Sequence, residues 1–295
     1  MEQRIYATGA EPSTLDVRDF KYVPDMAALA APLKGGTRYN PEDIEDQHRV
    51  GICTAISLTQ NARKALGIKF SADFQYLIQK KYIDKNWSEG SSARSSLGAA
   101  KGKEDAQGNF LWGGLLPAEH WTFTTEEDRK LPYSKYIAKL KAIPETELKK
   151  LFEISKNYRL AGYAQVEVKR DVIAKAIDES RAGLIVRFVV GREWYTAPIE
   201  PLRRAIEPIS GHLTIESNYD GNSGRIANTW GPDWADKGTA FFSMLTNPPT
   251  EAWIPYYNDL PLPDPIQKQK EELETLKGEL KKLIQKIVKL LNLKM

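Results

Sequence analysis

Near residue 184 the chain passes from helix-like apolar spacing to β-branched, strand-like runs, so it needs a fold that keeps helices and strands apart. Upstream of that point, residues 53–66, CTAISLTQNARKAL, read as a helix. Ala55, Leu58, Ala62 and Ala65 give it an apolar, small-residue face, and Gly67 suits its stop. Residues 71–84 read as a second helix, capped by Ser71, with Phe74, Leu77, Ile78 and Tyr82 inward. Residues 144–152 read as a short helix with Pro at its start. Residues 169–183 read as a longer one, with Val172, Ile173, Ala176 and Ile177 inward and Gly183 ending it. From LIVRFVV (184–190) onward the runs are strand-like: 212–219, 224–230 and 239–245, divided by turn-forming residues. Helices early and strands late predict a segregated α+β packing rather than an alternating parallel sheet.

Four segments stand outside this pattern. Residues 1–45 read as an irregular arm, and residues 86–115, rich in Gly and Ser, as a long loop with at most one helical turn. Residues 258–265 are a Pro-rich linker. Beyond it, residues 266–295 carry Leu273, Leu276, Leu280, Leu283, Ile287 and Leu290 at alternating spacings of three and four. That seam predicts a coiled coil that makes the chain a homo-oligomer or binds a helical partner. A lone amphipathic helix packed on the body, or a basic helix lying on a membrane surface, fits the same residues. The working domain is then 46–257.

Charge and cysteine usage narrow the function. The formal net charge is +3, and the last thirty residues hold eight Lys against four Glu, so the body is close to neutral. No basic stripe with interleaved aromatics appears in it, and no nucleic-acid partner is expected. No P-loop, dinucleotide fingerprint or zinc-spaced cluster occurs; His48, His120 and His212 lie far apart, and no cofactor or metal is expected. No run of about eighteen apolar residues is present, so no membrane span is expected. With one cysteine and no visible signal peptide, a cytoplasmic or other reducing compartment is expected.

That one cysteine, Cys53, lies in DQHRVGICTAISL (46–58), where the first helix begins. The positive end of a helix dipole lowers a thiol pKa and favours the nucleophilic thiolate. A nucleophilic thiol also needs a base, a group to orient that base, and donors for the oxyanion formed at an attacked carbonyl. Candidates for each are present. Gln47 precedes Cys53 by six residues, and with the Cys53 N–H would hold the oxyanion. His212 opens an extended run, and Asn228 follows it by sixteen residues. A hairpin centred on Asp220 and Gly221 would place 212 opposite 228 with both side chains on one face. Asn228 could then hold the imidazole by one ring N–H.

DQHRVGICTAISL, SGHLTIESNYDG and RIANTWGPDWADKGTAFF together resemble the three signature blocks of the papain-like cysteine peptidases. LDVRDF (15–20) is similar to the opening of that family's mature domain, and EGSSARSSLGAAK to its substrate-groove segment. The resemblance spans residues 15–245. It implies a two-subdomain α+β fold, a helical wall carrying the nucleophile facing an antiparallel β wall carrying the base. It also implies hydrolysis of peptide bonds in a polypeptide substrate, with Cys53 as nucleophile, His212 as base, Asn228 as its orienting group and Gln47 in the oxyanion hole. Trp230 would shield the His–Asn hydrogen bond, and Gly51 and Gly211 would lie along bound substrate. The sequence departs from the family pattern at several points. Val50 stands where relatives have a disulfide cysteine, His48 replaces a usual Gly, Thr54 follows the nucleophile, and Thr229 replaces a Ser. The 52 residues before Cys53 are too few for the family's usual inhibitory propeptide. A catalytically silent peptide-binding or scaffold protein on the same fold is the alternative.

Overall fold

The computed structural model describes residues 7–14, 16, 19–24, 36–195, 201–219 and 223–258. The 266–295 heptads, and the 258–265 linker after its first residue, lie outside these.

The chain enters through a two-residue strand, β1 (Ala10–Glu11), which pairs in parallel with β2 (Ser91–Ser92). Between them lie α1 (Cys53–Leu66) and α2 (Ala72–Ile78). α1 stops at Gly67, whose φ of 72° is the left-handed conformation that glycine adopts without strain. Ser71 caps α2 by accepting the Phe74 N–H, and a π-helical turn, Gln79–Asp84, continues it. Four more helices follow: α3 (Ala93–Lys101), α4 (Tyr133–Lys141), α5 (Glu145–Ser155) and α6 (Arg170–Glu179). The remaining strands are β3 (Lys103–Glu104), β4 (Phe110–Trp112), β5 (Leu160–Val166), β6 (Leu184–Gly191), β7 (Pro208–Tyr219), β8 (Ser223–Ala227), β9 (Thr239–Ser243) and β10 (Glu251–Tyr257). A six-stranded antiparallel sheet runs in the order β5-β10-β6-β7-β8-β9. Among the described residues no helix is long and apolar enough to cross a membrane.

Three clusters of buried residues explain the two walls. One gathers α2, α4 and α5 around Phe74, Tyr76, Tyr136 and Phe152. A second fills one face of the sheet with Val186, Phe188, Trp194, Ile226, Trp234 and Phe242. The third draws from both sides: Cys53, Leu58 and Ala62 of α1 meet Ile185, Leu213 and Ile215 on the opposite sheet face. Strand alternation makes this possible, since odd residues of β6 and β7 face α1 and even ones face the sheet's own core. α1 is therefore buried against the β wall, and Ser57 fixes it there by donating to the Leu213 carbonyl at 2.8 Å.

The structure corrects several expectations. Residues 86–115 hold a nine-residue helix, α3, rather than a loop. ARSSLGAAK lacks large apolar residues, yet its small side chains allow close packing, and Ser92 caps it by accepting the Ser95 N–H. α6 ends at Glu179, not at Gly183; Ser180 is already extended, and Gly183, at φ 87°, makes the turn into β6. The β7–β8 hairpin is also shifted. Ile215 pairs with Ala227, with a bulge between Glu216 and Asn218, so 212 does not oppose 228. Parity is kept, and Asn228 reaches His212 from just beyond the end of β8.

Glu216, on the core face of β7, is fully buried, and neither of its carboxyl oxygens has a hydrogen-bond partner among the described residues. Gly224 on β8 leaves the room it occupies. Burial raises its pKa from 4.5 to about 8. A carboxyl raised in the folded state stabilises below the unfolded value and loses that contribution as pH climbs to the folded one. Relative to Glu216→Gln, the wild type should lose on the order of 5 kcal/mol between pH 4.5 and pH 8. Urea midpoints of the two chains at pH 5 and pH 8 measure it; parallel midpoints would mean that Glu216 ionises freely.

Candidate active site

The site is assembled where the two walls meet. Cys53 begins α1 and is fully buried. The Leu213 backbone N–H and the opening amides of α1, those of Cys53 and Thr54, bond to the thiol and lower its pKa. Burial outweighs them and pushes it up to about 11.

His212, also fully buried, is held by two groups. Its Nε2 lies 2.6 Å from Asn228 Oδ1. The same Oδ1 accepts the Thr229 N–H at 2.8 Å, so it is the acceptor end of the amide and the imidazole proton sits on Nε2. Trp230 stacks on the imidazole at 4.3 Å. Nδ1 is left as the ring's acceptor, without a hydrogen-bond partner among the described residues, so thiol and imidazole are not bonded in this state. Desolvation lowers the His212 pKa to about 4. Both groups are thus neutral near pH 7.

The loop bearing Gln47 is stitched across the seam. Gln47 N–H donates to the Thr229 carbonyl at 2.9 Å, and Gly231 N–H to the Glu45 carbonyl at 3.2 Å. Gln47 Oε1 accepts Thr229 Oγ1–H at 2.6 Å, which turns its Nε2 outward as a donor. A buried ion cluster anchors this loop to the helical wall. Arg129 binds Asp73 at 2.9 Å and Glu45 at 3.3 Å, while Tyr136 and Thr124 also donate to Asp73. His48, where the resemblance leads one to expect Gly, has φ 51°; Asp46 and Glu126 hold its ring in that uncommon conformation.

The donors that face the seam are already occupied by the chain's own arm. Gln47 Nε2 and Trp230 Nε1 both donate to the Ala7 carbonyl, at 2.6 and 3.0 Å. Gly9 donates to the Gly211 carbonyl at 3.2 Å, and Gly9 O accepts the Ser91 N–H at 2.9 Å. Gly9 permits this approach: its φ is +154°, and a Cβ there would lie 3.0 Å from Gly90 Cα and 3.1 Å from Gly51 O. Gly51 donates to Glu89 Oε1 at 2.7 Å. Farther along, Asp16 and Asp19 both bind Arg94 of α3, at 2.5 and 2.9 Å. Gly51 and Gly211 border the arm. Sequence reasoning missed Ala7, Glu89 and Arg187, the last of which donates to the Ala10 carbonyl. Their roles are backbone contacts or depend on distant register, which no local motif encodes.

Solved structures similar to this chain in fold include cysteine proteases. A cysteine protease from Xylella fastidiosa, xylellain, superposes with a TM-score of 0.67 over 88% of this chain and 99% of its own, at 20% identity. The fold is that of the papain-like cysteine proteases. A proCathepsin B from Trypanosoma congolense matches at TM-score 0.56 and 13% identity, over 85% of this chain and 87% of its own. A digestive procathepsin L 3 from the larval midgut of Tenebrio molitor matches at 0.52 and 14%, over 86% and 76%. No family model and no curated protein matches the chain. In the papain-like fold as this chain builds it, Cys53 and His212 come from opposite walls, so any chemistry between them depends on how the walls are held.

Proposed function

We propose that the chain is a cysteine peptidase whose cleft is closed by its own N-terminal arm. The observation that carries the reading is the His212–Asn228 bond, which fixes Nδ1 as the free ring nitrogen beside the strand residue that touches the Cys53 thiol. With the arm displaced, Nδ1 takes the thiol proton, and the thiolate is stabilised by the imidazolium and by the first amides of α1. The thiolate attacks a peptide carbonyl. Gln47 Nε2 and the Cys53 N–H receive the oxyanion, in the place where Ala7 O now accepts from Gln47. His212 returns its proton to the leaving amine, and water deprotonated by His212 releases the acyl group. Asn228 keeps the ring in register throughout.

The chain has a single thiol, so alkylation needs no mapping. In the full chain with Gly9→Val, which disfavours the seated arm, alkylation should be fast and flat from pH 5 to pH 8. Adding His212→Ala should make it slow and rising toward an ordinary thiol pKa of about 8.5. Release of new N-termini from an unfolded protein substrate should accompany the fast state and vanish in Cys53→Ala. Alkylation indifferent to His212 would sink the peptidase and leave a silent peptide-binding protein. We also propose that residues 266–295 associate with one another or with a helical partner, which sedimentation of the full chain measures.

A further inference from the structure

The floor of the cleft under the arm carries a guanidinium with an unfilled edge. Arg187, on β6, is 8% exposed, beside Leu213 of β7 and Glu251 of β10. Its Nη1 is spent on the body of the protein, donating to Thr250 Oγ1 at 2.9 Å. The opposite edge, Nε and Nη2, faces the arm. Nε donates to the Ala10 carbonyl at 2.9 Å, and Nη2 has no hydrogen-bond partner among the described residues. Gly211 makes the space: a Cβ there would collide with both Nη2 and the Ala10 carbonyl.

That edge is the fork with which arginine takes a carboxylate through two parallel bonds. A neutral carbonyl fills half of it. Among the described residues no carboxylate forms an ion pair with Arg187, although the charge of Glu251 acts on it. Glu251, its cross-strand neighbour, spends one oxygen on Trp253 Nε1 of its own strand, at 3.3 Å, and the other on the Ser13 N–H, at 2.9 Å. Arg187 is also near enough to Cys53 for its charge to lower the thiol pKa, so a residue bound over it lies close to the bond being cut.

Resting on the peptidase reading, we infer that Arg187 is a specificity-determining residue: it selects polypeptides whose Asp or Glu side chain reaches the Nε–Nη2 edge that the Ala10 carbonyl now half-fills. An acidic residue gains by pairing its charge with the guanidinium, and a basic one is rejected by like charge.

The test uses the full chain carrying Gly9→Val, with and without Arg187→Gln. Peptides differing only in Glu, Gln, Leu or Lys at successive positions are measured twice, as substrates and as protectors of Cys53 from alkylation. Glu at one position should exceed Gln by roughly tenfold in kcat/KM and in protection, and Arg187→Gln should erase the difference. Equal rates and equal protection for all four peptides would overturn the inference, and would mean that Glu251 has turned to neutralise Arg187. So would an acidic preference that survives Arg187→Gln. Selective protection by the Glu peptide without any cleavage would support the recognition by Arg187 while removing the peptidase reading.

Discussion

Displacing the arm is expected to accelerate reaction of Cys53 at pH 7 by at least tenfold and by as much as about 10⁴-fold. The range follows from the two states. Under the arm the thiol sits at about 11 and the imidazole at about 4, so near pH 7 the pair is neutral. A thiol at that value is about 10⁻⁴ ionised, whereas an imidazolium-paired thiolate is almost fully ionised. Two contacts of the arm are expected to favour the neutral, closed state. Ala10 joins Cys53 and Leu213 in one buried cluster, and the Ala7 carbonyl occupies the Gln47 donor. Gly9→Val in the full chain, or deletion of residues 1–14, should therefore give both fast alkylation and hydrolysis. Arg94→Ala, which removes the partner of Asp16 and Asp19, should give a weaker version of the same change. The pH profile separates this from mere exposure of a thiol. The closed chain should react faster with every unit of pH from 7 to 10, and the opened chain should already be at its plateau. Equal rates for wild type and both arm variants would show that the arm is no inhibitor.

The sequence already held the fold class and the chemical groups, because both are written in local pattern. Cys53 to Leu66 has helical periodicity and a glycine stop, and it forms α1 over those residues. The strand-like runs beginning at 184, 212, 224 and 239 lie on β6, β7, β8 and β9. The groups grouped by motif, Gln47, Cys53, His212, Asn228 and Trp230, all lie at the seam between the walls, within a papain-like fold. What was hidden depends on contacts across long sequence separations. α3 is a helix because its small residues fit against α1 and α2, not because it has an apolar stripe. The β7–β8 register depends on a bulge at Ser217 that no turn signal announces. β5 and β10 pair with each other across nearly a hundred residues. The arm is the clearest case. Residues 7–14 have no periodicity because their order comes from backbone bonds to Gly211, Ser91 and Gln47, which place no demand on side-chain type beyond the glycine at position 9.

Gln47→Ala is expected to change two observables in opposite directions. In the opened chain it removes a donor aimed at the oxyanion, and loss of one such donor lowers kcat by about 10²–10³. KM should move little, because the donor acts on charge that appears only as the carbonyl is attacked. In the closed chain the same side chain clamps the arm through its 2.6 Å bond to Ala7 O, so Gln47→Ala should loosen the arm and speed alkylation of Cys53. Trp230 Nε1 still holds the Ala7 carbonyl, at 3.0 Å, so the gain should be smaller than that of Gly9→Val. A merely structural Gln47 cannot give this pair of results. Its loss would free Thr229 Oγ1, disturb the loop joined to residues 229–231, and depress both reactions together. Measured side by side, hydrolysis falling while alkylation rises assigns Gln47 to the donor that substrate and arm compete for. A fall in both would reduce it to a buried tie between the walls.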